Sequence, residues 1–217
     1  MNGKSNDSDL RAVKISESTV RRLSIYLRLL QDLEGTGQET ASSEDLAERA
    51  GTTAAQVRKD LSAFGSFGKR GLGYSVAELL RTLREILGLD HRWKVALVGA
   101  GKIGSALFTY RNFQRRGFEI DAVFDTDPVK VGQLWGSSEI LDDSLMETEL
   151  RQRHIDIVVI AVPSDAAQAV ADRVVAAGVE AILNFAPVRL RVPASVAVRN
   201  VDMVVEMEGL AFALSSR

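Results

Sequence analysis

The chain has no cysteine and only two histidines in 217 residues. The first absence excludes disulfides, thiol catalysis and thiol-based redox switching. With so few histidines a zinc site would rest on carboxylates, so no metal is expected. No apolar run reaches the ~18 residues that suggest a membrane span. The opening stretch MNGKSNDSDLRAVK is polar and lacks the apolar core of a secretory signal. These absences predict a cytoplasmic protein with neither metal nor membrane as partner. Neither charge dominates, with 27 Lys+Arg against 29 Asp+Glu and a net charge of −2. That excludes a uniformly basic surface but leaves room for a local basic patch. Hydrophobic residues make up 46% of the chain, enough to bury a core.

The hydrophobic pattern changes its grammar near residue 90. Residues 1 to about 15 read as a disordered arm. Val20, Leu23, Leu27 and Leu30 recur at helical spacing from Ser18, a candidate N-cap, to Leu33. After a loop over 34–41, Ser42 to Asp45 has capping-box spacing and starts a helix ending near Ala50. Gly51-Thr52 is a turn, and Thr53 to Gln56 repeats the pattern for a helix to about Phe64. GSFGKRGLGY follows, with four glycines in ten residues. Val76 to Leu87 marks a fourth helix, and Gly88 to Arg92 a linker. Beyond it come strand 95–98, helix 103–116, strand 120–124, helix 143–153, strand 155–162, helix 164–177 capped by Ser164, and strand 181–183. Short strands alternating with helices imply a parallel sheet covered on both faces. The expected architecture is therefore α/β in two domains, 1–90 and 91–217.

Gly99-Ala100-Gly101-Lys102-Ile103-Gly104 lies between an apolar strand and a helix, the context a dinucleotide-binding turn requires. Gly99 makes the tight turn, Gly101 admits a pyrophosphate to the backbone, and Gly104 lets helix and strand pack closely. The helix N-terminus offers unpaired N–H groups to the phosphates. Asp125 ends the second strand about 20 residues further on, where the ribose-binding acid belongs. A carboxylate there accepts from ribose hydroxyls and repels a 2′-phosphate, favouring NAD(H) over NADP(H) and counting against coenzyme A. Asp127-Pro128 reads as the cap of the next turn. Lys102 stands near the phosphates or in solvent; Lys130 stands in solvent, near the adenosine or beside local acids. At the same sheet edge, Ala161-Val162-Pro163 and Asn184-Phe185-Ala186 leave later strands toward the nicotinamide half.

A dehydrogenase usually needs a proton donor or acceptor beside the nicotinamide. His91 and His154 both precede strands and so fall at the opposite edge. Tyr110 is the second half's single tyrosine, and no Tyr-x-x-x-Lys pair stands there. The cofactor half of an oxidoreductase is present without its chemistry, which points to a sensor; a small NAD-dependent oxidoreductase with a helical extension is the competing reading. Upstream, helix, short helix, turn, helix and glycine-rich hairpin is the order of a winged helix-turn-helix, spanning about Tyr26 to Gly65. Its second motif helix enters the major groove and presents Gln56, Arg58 and Lys59, while Lys69 and Arg70 sit at the wing tip. Between Thr52 and Tyr74 four basic residues meet one acid, Asp60.

Together these segments resemble the Rex family of redox-sensing transcriptional repressors. The resemblance runs from about Ser18 to Leu214. It is carried by Tyr26-Leu-Arg, Gln56-Val-Arg-Lys-Asp-Leu-Ser, the wing from Phe64 to Tyr74 that includes Ser66, the Gly99–Gly104 turn, Phe124-Asp-Thr-Asp-Pro128, Ala161-Val-Pro163 and Asn184-Phe-Ala-Pro187. It implies a homodimer that holds pseudo-palindromic operator DNA when NAD+ dominates and releases it when NADH accumulates. It also implies a C-terminal helix swapped into the partner subunit, for which Met207, Leu210, Ala211 and Leu214 supply an apolar face. Arg22, Tyr110 and Asp202 fall at positions where it implies switch contacts among DNA domain, cofactor domain and terminal segment. A pocket of Val162, Pro163, Phe185 and Ala186 would penalise the cationic oxidised nicotinamide.

Overall fold

The structure is a computed structural model and describes residues 15–65, 67–68 and 73–216. The expected N-terminal arm falls almost wholly outside these residues, as do Ser66, Lys69 and Arg70 of the wing. The chain divides into two compact units, Met1–His91 and Arg92–Arg217.

In the first unit, α1 (Glu17–Gly35), α2 (Ser43–Ala50), α3 (Ala54–Ser62) and α4 (Val76–Ile86) are joined by a two-stranded antiparallel ribbon, β1 (Thr40–Ala41) with β2 (Tyr74–Ser75). The α1 stripe is buried at Leu23, Tyr26, Leu27, Leu30 and Leu33, packed with Leu46, Val57, Leu61, Leu79 and Leu83 of the other helices. Val20 stands outside the stripe, largely exposed. The cap of α1 is Ser16 rather than Ser18: its hydroxyl accepts from the Thr19 N–H at 3.2 Å. Around α2 the capping box is complete, with Ser42 and Asp45 each accepting from the other's backbone N–H. Gly51 follows in the left-handed conformation at φ 64° and turns the chain toward α3. At α3 only half the box forms. Thr53 accepts from the Gln56 N–H, but the Gln56 side chain turns forward instead.

The second unit carries a seven-stranded sheet. Its elements run β3 (Trp93–Val98), α5 (Lys102–Phe108), α6 (Asn112–Arg115), β4 (Phe118–Asp125), β5 (Leu134–Trp135), β6 (Ser138–Asp142), α7 (Met146–Gln152), β7 (Ile157–Ile160), α8 (Ser164–Ala176), β8 (Ala181–Asn184), β9 (Ala197–Asn200) and α9 (Met203–Ser215). The spatial order is β5-β6-β4-β3-β7-β8-β9, with every pairing parallel except β5 with β6. Alternate residues of β3 serve opposite faces, as a pleat of period two requires. Ala96 and Val98 join Met146 and Leu150 of α7 and Ala167, Val170 and Val174 of α8. Val95 and Leu97 join Val123, Val159 and Leu107 and Phe108 of α5. Among the described residues no helix is long and apolar enough to cross a membrane, and no group of three or more His, Asp or Glu side chains could hold a metal.

Several local expectations are corrected. The helix over 103–116 is two pieces, because the Thr109 hydroxyl donates back to the Ser105 and Ala106 carbonyls, competing with the next turn. The strand over 155–162 is shorter, Ile157–Ile160, and Ser164 is the first residue of α8 rather than its cap. The strands β6 and β9 lie in stretches where no strand is expected. They pair beside β4 and β8, one step outward from the centre of the sheet.

Arg173 of α8 pins the segment leading into α7. Its guanidinium donates to both Glu147 carboxylate oxygens at 2.6 and 2.7 Å, to the Asp143 carbonyl at 2.7 Å and to the Asp143 carboxylate. The Arg173 hydrogen bonds hold the Glu147 carboxyl down to about 2, from an ordinary 4.5. A depressed carboxyl stabilises the fold fully above its unfolded value and loses that contribution as pH falls toward the folded one. Both tryptophans, Trp93 and Trp135, lie in this unit. Tryptophan-detected melts should therefore show a fall in stability between pH 4.5 and 2 that is shallower in Arg173→Met.

Candidate dinucleotide site and nucleic-acid helix

Because β3, β4, β7 and β8 are parallel neighbours, the turns after Val98, Asp125, Ile160 and Asn184 open at one edge of the sheet. Gly99 and Gly104 meet the steric demands the sequence predicts for a tight turn and close helix–strand packing. Gly99 has φ 102°, and a Cβ on it would lie 2.5 Å from the Ala161 carbonyl oxygen. A Cβ on Gly104 would lie 2.0 Å from the Gly99 carbonyl oxygen, so α5 seats directly on the turn. Gly101 has ordinary extended φ, and a Cβ there would meet nothing within 4 Å. Nothing within the fold requires a glycine there, and the space in front of its main chain is open. No side chain caps the N-terminus of α5, and Lys102 and Ile103 are exposed there.

Asp125 is buried, 9% exposed, at the end of β4. One carboxylate oxygen accepts from the Ala100 N–H at 2.7 Å and from the Lys130 ammonium at 3.2 Å; the other accepts from the Asp127 N–H at 2.8 Å. Burial alone would raise this carboxyl, but the donors from Asp127, Lys130 and Ala100 outweigh it and hold it below the usual carboxylate range. A carboxylate has about four lone-pair sites, so most of its capacity is spent on the loop. Lys130 also pairs with Asp127 at 3.6 Å, which selects the acid-neutralising role among those open to it. Two carboxylates and one ammonium leave this corner net negative.

The later turns form the rest of the edge. Ala161 and Val162 are half-buried and Pro163 is exposed; Phe185 is half-buried and packs among Ala100, Ala161 and Val159. Ala186 and Asn184 lie behind them. Asn184 is fully buried: its amide donates to the Ala186 and Val188 carbonyls and to the Asn200 side chain, and its Oδ1 accepts from the Ala186 N–H. The Asn184 side chain thus shapes the loop instead of reaching out of it, a correction to its expected contact. Its burial follows from β9, which the sequence did not reveal.

In the first unit, Arg58 and Lys59 are exposed on α3. Arg58 donates to the Ser43 hydroxyl at 2.9 Å and to Glu44 at 3.2 Å, tying α3 to the start of α2. Sequence reasoning missed the role of Asp60. This carboxylate is 3% exposed and accepts from Arg22 twice, at 2.6 and 2.8 Å, from the Tyr26 hydroxyl at 3.1 Å and from the Gln56 amide at 2.8 Å. Burial would raise the Asp60 carboxyl, but Arg22, Gln56 and Tyr26 hold it low; burial and Asp60 push the Tyr26 phenol up to about 12. The available signal was the i, i+4 spacing of Gln56 and Asp60 on one helix. The three switch candidates have partners of their own. Arg22 holds Asp60, the Tyr110 hydroxyl accepts from Asn112 at 3.0 Å, and Asp202 caps α9 by accepting from the Val204 and Val205 N–H groups.

Comparison with known proteins agrees with this division. Residues 14–62 match the family model "Putative DNA-binding protein N-terminus", and residues 90–188 match the model "CoA binding domain". A redox-sensing transcriptional repressor Rex from Desulforamulus reducens is 50% identical over 206 residues, covering 95% of this chain and 98% of that protein. The Rex of Desulfitobacterium hafniense is 48% identical over 208 residues, covering 96% and 99%. Two crystal structures of the protein RSP resemble the whole chain. Its complex with β-NAD+ and operator DNA has TM-score 0.89 at 38% identity, covering 93% of each chain. Its complex with β-NADH has TM-score 0.87 at 36% identity, covering 94% and 96%.

The glycine geometry separates two kinds of substitution. Gly101→Val should leave the melting temperature unchanged while abolishing stabilisation by added NADH. Gly104→Ala should lower stability itself, by roughly 1–3 kcal/mol as in overpacked cores. Thermal melts with and without NADH read both.

Proposed function

The chain belongs to the Rex family of redox-sensing transcriptional repressors, and we propose that it binds operator DNA through α3 and the wing, binds NAD(H) at the Gly99–Gly104 edge, and acts as a homodimer in the cytoplasm. The observation that carries the cofactor assignment is Gly101, a glycine whose missing side chain matters only if a ligand occupies the space before it. Gly99 to Gly104 would hold the pyrophosphate. Asp125, held ionised by its three donors, would turn its remaining acceptor capacity to a ribose hydroxyl. The net negative corner formed with Asp127 and Lys130 disfavours any ribose that carries a phosphate. This supports NAD(H) over coenzyme A within the matched cofactor-domain model. His91 and His154 precede β3 and β7, away from the ligand edge, in keeping with a repressor that senses the dinucleotide rather than turning it over.

The nicotinamide is cationic when oxidised and neutral when reduced. Val162, Pro163 and Phe185 supply an apolar rim at the edge nearest the strands that follow β3, and such a rim penalises an unpaired cation. Ala186 backs this rim from the core. The DNA-reading residues we assign are Gln56, Arg58 and Lys59, with Ser66, Lys69 and Arg70 of the wing.

The homodimer reading is supported by α9. All residues of this 13-residue helix are exposed, among them Met203, Val204, Val205, Met207, Leu210, Phe212 and Leu214. The expected face of Met207, Leu210, Ala211 and Leu214 is only part of the apolar surface. A helix with so much exposed apolar surface requires cover, and a second copy of the chain, accepting α9, would supply it.

Two outcomes are expected. Fluorescence anisotropy on an operator duplex should show binding that is lost when NADH is added and retained with NAD+. By linkage, operator DNA must weaken NADH affinity by the same factor that NADH weakens DNA affinity; equal NADH affinities with and without DNA would refute the coupling. Deleting residues 203–217 should yield a monomer in sedimentation and a large loss of operator affinity.

A further inference from the structure

The Asp60 cluster contains more than is needed to fasten two helices. Its carboxylate lies on α3, one turn beyond Gln56, and takes four hydrogen bonds while almost wholly buried. Three come from α1, where Arg22 donates through Nε and Nη2 and Tyr26 through its hydroxyl. The fourth comes from the Gln56 amide, which is only half-buried. A carboxylate held ionised can only accept. The end of the Gln56 amide that faces Asp60 is therefore the nitrogen, and the rotation that would exchange oxygen and nitrogen is blocked. Among the described residues nothing donates to the Gln56 Oε1.

We infer that Gln56 is a specificity-determining residue that reads an adenine in the major groove, with Asp60 as the positioning residue that fixes its amide and Arg22 and Tyr26 as the struts that hold Asp60. This rests on α3 being the DNA-reading helix. The chemistry follows from the bonds already made. One Nε2 hydrogen is spent on Asp60. The second, together with Oε1, forms a donor and acceptor pair. Adenine shows the complementary pair at its major-groove edge, an acceptor at N7 and a donor at N6; guanine shows two acceptors there and cannot satisfy Oε1. Were the amide free to turn, holding it in the reading orientation would cost side-chain entropy on binding. Asp60 fixes that orientation before DNA arrives. Its negative charge is no obstacle to DNA, because the Arg22 guanidinium neutralises it inside the unit.

The test uses the full-length protein with NAD+, and a library of DNA duplexes randomised over the bound site, sequenced after selection. Wild-type protein should show an adenine preference at one position per half-site. Gln56→Ala should flatten that position by roughly 5- to 150-fold, the range of one bidentate base contact, and leave the other positions and the salt dependence unchanged. Asp60→Asn, whose amide can donate as well as accept, should flatten the same position. Because Asp60→Asn also strips Arg22 of its ionic partner, Gln56→Glu and Tyr26→Phe are run beside it. Gln56→Glu cannot donate to Asp60 and should lose the adenine; Tyr26→Phe should weaken the preference partially without changing salt dependence. A selective wild-type protein whose profile is untouched by Gln56→Ala and Gln56→Glu overturns the inference. A folded Asp60→Asn that keeps the adenine preference overturns the role of Asp60. Absence of any sequence-selective binding by wild-type protein would instead refute the operator-binding reading itself.

Discussion

The hydrogen bond from the Ala100 N–H to the Asp125 carboxylate ties the turn after β3 to the end of β4, and the ligand edge is arranged around it. It is charge-assisted, 2.7 Å long and largely screened from water. It fixes the peptide between Gly99 and Gly101, which in turn fixes where α5 begins. With Gly104 seated on the Gly99 carbonyl from the other side, the turn has almost no freedom. A phosphate-binding loop works by presenting main-chain N–H groups in a preset arrangement. That arrangement here is supplied by one buried acid and two glycines, before any ligand is considered. The fingerprint describes Asp125 as a ribose acceptor, while the structure makes it a clamp on the loop.

What could be read from the sequence was whatever the core demanded. Trp93–Val98, Phe118–Asp125 and Ala181–Asn184 are apolar enough to announce strands, and the capping boxes marked α2 and α3. The misses share a cause. Ser138–Asp142 and Ala197–Asn200 lie toward the sheet margins, bury few side chains and are held by backbone pairing to strands far away in sequence. Such pairing leaves little local trace. The break at Thr109–Arg111 was hidden for a different reason, since a threonine bonding back to its own helix leaves the apolar period nearly intact. Asn184 shows how the two kinds of error combine. Without β9 in view, a polar residue at the end of a strand looks free to meet a ligand. With Asn200 beside it, the same residue is the lock of its own loop.

The DNA-binding half was legible as a pattern of helices and basic residues, and its electrostatics were not. A count of charges treats Asp60 as a subtraction from a basic patch. In the fold it is buried and paired with Arg22, so the surface that α3 exposes is more basic than the count. Arg58 is also held in advance, by Ser43 and Glu44 at the start of α2. Two of the three side chains that the sequence nominates on α3, Gln56 and Arg58, are thus bonded to acids on the protein, which would reduce the ordering left to be done on binding DNA. Composition cannot reveal this, because it depends on which acids face inward.

The two histidines and the turns after the strands fall at opposite edges of the sheet. Parallel strands put all their starts on one side, so His154 before β7 is separated from the turn after Ile160 by the length of the strand. Around the start of α5 and the turn after β4 stand the ionisable side chains Asp125, Asp127, Lys102 and Lys130. Three of these are paired around the loop, and Lys102 stands in solvent. None is a histidine, the side chain most often used to exchange a proton with a substrate. A sensor needs something else, a difference in affinity for two forms of one ligand. On the proposed placement of the cofactor, the half-buried Val162 and Phe185 would provide a physical basis for such a difference, because the two forms differ by a full charge at the ring. On the proposed assignment, the glycine-rich turn would perform the same binding it performs in a dehydrogenase, and the side chains around it would convert binding into a measurement.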